Sequence, residues 1–83
     1  MEKSIYTREY ALALRLLKEA RGRAGVTQVD LANKLGQSQS FVSKIERGDR
    51  RLDVVQLRSI CCALGLSFVD FVRRLESELG GRK

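Results

Sequence analysis

Residues 27–48 read TQVDLANKLGQSQSFVSKIERG, two short amphipathic stretches joined at a glycine. The Thr27 hydroxyl can accept an N–H bond from the first turn of a helix, which makes Gln28 the first helical residue. The apolar face of that helix is Val29 or Leu31, with Ala32 and Leu35. Gly36 falls where the helix must stop and the chain reverse, a position that often requires positive φ. Ser38 can cap a second helix that starts at Gln39 and stops at Gly48. At about 100° per residue, Val42 and Ile45 share one side of it, whereas Ser40, Ser43, Lys44 and Arg47 gather on the other. Gln39 lies at the rim, near the N-terminal end. Two large side chains anchor this helix, and its outward face carries neither Asp nor Glu.

The chemistry of that face narrows its use. Glutamine can bond bidentately to adenine, lysine can donate to guanine, and serine can serve either base. Ala32 is small enough for two helices to cross closely. A single polar helix face is ordinarily just a solvated one. The preceding helix, the glycine turn and the charge balance together favour a helix pressed into the major groove of double-stranded DNA.

The rest of the chain agrees with that expectation and excludes several others. Eighty-three residues suit one domain, which buries only about 60–65% of its unfolded surface. A net charge of +6 and a pI near 9.9 favour a polyanionic partner, because lysine and arginine that neutralise phosphates release counterions. Charge alone would suit many basic proteins that bind no nucleic acid. No apolar run approaches the roughly twenty residues that cross a bilayer, and the start MEKSIYTREY lacks a signal-peptide core, so a cytoplasmic protein with no membrane partner is expected. Two adjacent cysteines without any histidine cannot build an ordinary four-ligand zinc site. Cys61 is in register with Val54, Leu57 and Leu64 and is expected to be a reduced core residue, whereas Cys62 points elsewhere. Without histidine or a glycine-rich phosphate loop, no catalytic constellation can be assembled. The expectation is therefore no enzyme, no metal, no cofactor and no small-molecule ligand.

Three more helices flank the central pair. The first runs from near Arg8 to Arg23, with Thr7 as cap, Leu14 and Leu17 toward the core, and Gly25 as its end. A fourth begins after Asp53 and stops at Gly65. A fifth begins after Ser67 and carries Phe68, Phe71, Val72, Leu75 and Leu79. The fold class expected is all-α, with residues 1–79 as a single domain, residues 1–7 as an N-terminal extension and residues 80–83 as a disordered tail. Ile5, Tyr6 and Tyr10 can either lengthen the first helix over the core or join a partner's surface.

From about Leu14 to Leu75, roughly three quarters of the chain, the sequence resembles the Xre/Cro-type helix-turn-helix regulators, which share a compact five-helix lambda-repressor-like domain. The resemblance is carried by Thr27–Gln28, Leu31–Ala32, the KLG ending at Gly36, the SFVSKIERG ending at Gly48, and the ALGLS of residues 63–67. It implies a transcriptional regulator, a repressor in the first place with an activator left open, in which helices two and three form the helix-turn-helix. It further implies that Gln28 bonds a phosphate and braces Gln39, that Gln39, Ser40 and Lys44 face bases, and that Gln37, Ser38, Ser43, Arg47, Arg50 and Arg51 lie nearer the sugar-phosphate backbone. Arg21 and Glu46 match an ion pair that ties helix one to helix three. Two positions depart from the pattern. Leu52 stands where proline is frequent, and Phe41 is bulkier than usual, so it either meets a deoxyribose or thymine methyl or packs against Leu52 and the loop.

Val72, Leu75 and Leu79, with Val55, are more apolar than an isolated surface needs. They suggest a twofold homodimer whose recognition helices stand about 34 Å apart on a palindromic operator. The alternative is that they only cover the end of the core. An antitoxin or protein-binding adaptor built on the same fold is the second functional reading. RNA is a weaker candidate, because the chain has no aromatic stacking platform. No effector-binding domain is expected.

Overall fold

The computed structural model describes residues 7–80. Five helices follow one another: α1 (Arg8–Arg23), α2 (Gln28–Leu35), α3 (Gln39–Arg47), α4 (Val54–Ala63) and α5 (Phe68–Gly80). Each begins where a short polar side chain can take up an orphan amide. Thr7, Thr27, Ser38, Asp53 and Ser67 accept from the amides of Tyr10, Asp30, Phe41, Gln56 and Asp70, respectively. At α2 and α4 the favour is returned: Thr27 N–H donates to Asp30 at 3.3 Å and Asp53 N–H to Gln56 at 3.0 Å, closing two capping boxes.

The exits matter as much, because one turns the chain from α2 into α3 and the other ends α3 at the loop toward α4. Gly36 adopts φ 68° and lets Gln37 N–H reach back to Ala32 O at 2.9 Å. Gly48 adopts φ 83° and lets Asp49 N–H reach Lys44 O at 2.8 Å. A side chain at either position would strain the backbone, since only glycine enters this region freely.

Every helix contributes to one core made of Leu14, Leu16, Leu17, Ala20, Leu31, Ala32, Val42, Ile45, Ile60, Cys61, Leu64 and Phe71. Burying one such aliphatic side chain fully contributes about 1.5–3 kcal/mol. α3 packs on α1 and α2, α4 on α2 and α5, and α5 returns to α1. On α2 it is Leu31, not Val29, that faces inward: Leu31 is 2% exposed and Val29 53%. α1 buries Leu16 as well as the expected Leu14 and Leu17, because both α3 and α5 pack against it and widen its apolar face. Phe71 is buried and Phe68 is half-buried.

Two expectations need correcting. Val54 does not share the burial of Cys61 but stands 64% exposed, since it is the first residue of α4 and precedes the part of the helix that meets the core. Gly80 belongs to α5 as its last residue and not to a disordered tail. The remainder of that tail, residues 81–83, and the extension through residue 6 lie outside the described residues. Cys61 is wholly buried and Cys62 exposed. Burial, and secondarily the neighbouring Cys62, pushes the Cys61 thiol above its ordinary range, so it stays a neutral packing group. Among the described residues no single helix is long and apolar enough to cross a membrane.

Candidate nucleic-acid interface

The inner face of α3 is sealed by Val42 and Ile45, which are 2% and 1% exposed. That burial fixes the rotation of the helix and leaves Gln39, Ser40 and Lys44 exposed, Ser43 half-covered and Arg47 exposed on the opposite side. Gln37 and Ser38 are exposed in the turn that leads into α3, and Arg50 and Arg51 in the loop that follows it.

A chain of polar bonds runs from the interior to this surface. Arg21 on α1 meets Glu46 on α3 side-on, with Nε donating to Oε2 at 2.6 Å and Nη2 to Oε1 at 3.1 Å. Their side chains are only 15% and 6% exposed. The third guanidinium nitrogen, Nη1, donates to Val26 O at 2.9 Å, tying down the α1–α2 turn. Glu46 Oε1 also accepts from Gln28 Nε2 at 2.9 Å, and Gln28 Oε1 accepts from Gln39 Nε2 at 2.7 Å.

The order of these bonds settles which way each amide points. A carboxylate only accepts, so Gln28 must turn its NH2 toward Glu46 and its oxygen toward Gln39. Gln39 must then offer an N–H to Gln28. What remains outward on Gln39 is one N–H and the carbonyl oxygen, the donor–acceptor pair that matches N7 and N6 of adenine.

The cations around the helix are held in two different ways. Arg47 is engaged on its own surface, its Nε and Nη2 reaching Asp49 Oδ2 at 3.0 and 2.9 Å and its Nη1 reaching Ser43 Oγ at 2.8 Å. Arg50 lies over the Phe41 ring at 4.8 Å and Arg51 over the Tyr10 ring at 5.6 Å. Phe41 is half-buried in a groove with Leu35, Val55 and Ile60, so it packs between α2 and α4 and carries Arg50 on its outer face. Lys44 has no carboxylate partner among the described ion pairs.

The residues expected at a dimer contact are dispersed over two helices. Val55 is 68% exposed on α4 and Val72 41% on α5. Leu75 and Leu79 are half-buried, Leu75 packing on the core and Leu79 lining a groove with Leu12 of α1. Sequence reasoning missed Val69, 60% exposed one turn before Val72, because a wheel with five apolar residues does not say which of them the rest of the fold covers. It also missed Asp49, whose place two residues after Arg47 was a readable signal. Tyr10 carried none.

Comparison with known proteins places this geometry. A family model described as helix-turn-helix matches residues 17–71. An XRE-family like protein from Pseudomonas syringae pv. tomato is 44% identical and superposes with a TM-score of 0.82, covering 86% of this chain and 87% of its own. The wild-type restriction-modification controller protein C.Esp1396I is 31% identical with a TM-score of 0.81, over 90% of this chain and 96% of its own. The HTH-type transcriptional regulator y4dJ of Sinorhizobium fredii is 38% identical over 52 residues, which span 63% of this chain and 68% of that protein. The chain belongs to the XRE family of helix-turn-helix, DNA-binding transcriptional regulators.

Proposed function

We propose that the protein is a sequence-specific repressor that binds a palindromic operator as a homodimer, each α3 entering a major groove. The observation that carries this reading is the outward face of α3, where an amide oriented from the protein interior stands beside the uncovered Ser40 and Lys44. Gln39, Ser40 and Lys44 choose bases. Gln28, Gln37, Ser38, Ser43, Arg47, Arg50 and Arg51 hold the sugar-phosphate backbone and so set register and affinity. Selection from a random duplex pool, followed by sequencing, is expected to return two inverted half-sites whose centres lie one helical turn apart. A pool that returns no motif would defeat the reading.

Dimerisation is assigned to Val72, Leu75, Leu79 and Val55, supported by the exposure of Val55 and Val72 and of the neighbouring Val69. Sedimentation at micromolar concentration is expected to show a dimer. Val72→Lys is expected to yield monomer and to lower affinity for the two-half-site duplex far more than for a single half-site. Monomer alone in the unmodified protein, with and without duplex, would remove the dimer from the proposal.

Asp49 competes with a phosphate for Arg47, whose Nε and Nη2 it holds. Asp49→Ala is therefore expected to tighten binding to any duplex by about one and a half to fivefold, the worth of an exposed ion pair of about 0.2–1 kcal/mol. Salt titration of selected and random duplexes checks this. Unchanged or weakened binding would show that Asp49 does not compete with the backbone for Arg47.

A further inference from the structure

We infer that Tyr10 is a positioning residue for DNA binding, a clasp on α1 that fixes the α3–α4 loop so that Arg50 and Arg51 are presented at set places on the backbone-facing surface. The inference rests on the duplex-binding reading above. Leu52 is half-buried with its side chain packed against the core, and its backbone amide lies in a part-buried place. An amide left there without a partner is costly. The partner it finds is the Tyr10 hydroxyl, which accepts at 3.0 Å from a residue 42 positions further along the chain.

The same tyrosine does a second thing. Its ring lies under the Arg51 guanidinium, while the Phe41 ring of α3 lies under Arg50. A guanidinium stacked on a ring keeps its N–H edges free, and both arginines are exposed. Two flexible cations, adjacent in sequence, are thus parked on two different aromatic faces, and the backbone between them and α4 is pinned at Leu52. Ordering these side chains before DNA arrives removes an entropy cost that binding would otherwise carry.

The test compares the full chain with Tyr10→Phe, which removes the hydroxyl and keeps the ring. Thermal melts identify a temperature at which both are folded, and salt titrations with selected and random duplexes are run there. Loss of one hydrogen bond is expected to weaken binding to both duplexes by the same factor, about two- to tenfold. The slope of log affinity against log salt should fall by up to about 0.9, one phosphate contact. Arg51→Ala should cost less in the Tyr10→Phe background than alone. Amide exchange supplies a readout without DNA: Leu52 N–H is expected to be protected in the unmodified protein and to exchange faster in Tyr10→Phe.

Unchanged affinity and salt slope in Tyr10→Phe would reduce Tyr10 to a structural residue and overturn the inference. An unprotected Leu52 amide in a protein that still binds duplex would overturn it while leaving the proposed function intact. A protein that binds no duplex at all would take both away.

Discussion

Glu46→Ala is expected to lower the unfolding free energy by about 3–5 kcal/mol. The side chain is almost wholly enclosed and receives two bonds from Arg21 and one from Gln28. Removing it leaves a guanidinium cation in a site that is 15% exposed, with Val26 O as its remaining protein partner. A small domain holds only about 5–15 kcal/mol in total, so the variant stands close to unfolding at growth temperature. Chemical denaturation measures the loss, and a change below about 1 kcal/mol would show that water reaches and solvates Arg21. The informative comparison is the double replacement Arg21→Met with Glu46→Leu. Well-packed apolar residues in place of a buried pair are commonly neutral or stabilising, by about 1–4 kcal/mol. That variant is expected to keep its stability and yet lose base preference at the Gln39 position, because the carboxylate that orients both amides is gone. The pair then serves the orientation of the reading surface more than the stability of the fold.

The contrast between Glu46 and Tyr10 shows what kind of information a linear sequence exposes. Helix limits were legible because they are local: a cap at Thr27, Ser38 or Asp53 and a glycine at the far end act within a few residues. The rotation of α3 was legible as well, since Val42 and Ile45, three residues apart, share one side while Ser40, Ser43, Lys44 and Arg47 gather on the other. The burial of Leu16 and the exposure of Val54 and Val69 were not, because periodicity along one helix says nothing of how many neighbours press on it or where they begin. The joining of Arg21 to Glu46 came from resemblance, not from spacing. Tyr10 and Leu52, far apart in sequence and neither a conspicuous motif, became a pair only when the chain folded.

Lys44→Ala and Arg50→Ala are expected to damage DNA binding in two separable ways, and the separation is the strongest check on the assignment of the surface. Lys44 is exposed one turn beyond Ser40 on the outward side of α3, without a carboxylate partner among the described ion pairs. If it donates to a guanine edge, its removal forfeits about 1–3 kcal/mol of discrimination, roughly five- to 150-fold, against the selected duplex and little against random sequence. Arg50 sits in the loop over Phe41, off the reading face. Its removal should weaken selected and random duplexes by equal factors and lower the salt slope by about 0.9. Titrating both variants against both duplexes over a range of salt yields four curves whose pattern is diagnostic. Equal losses on the two duplexes for Lys44→Ala would make it another backbone cation, and base choice would then rest on Gln39 and Ser40 alone. A selective loss for Arg50→Ala would put the loop, not α3, nearest the bases, and the docking of the helix pair would have to be turned accordingly.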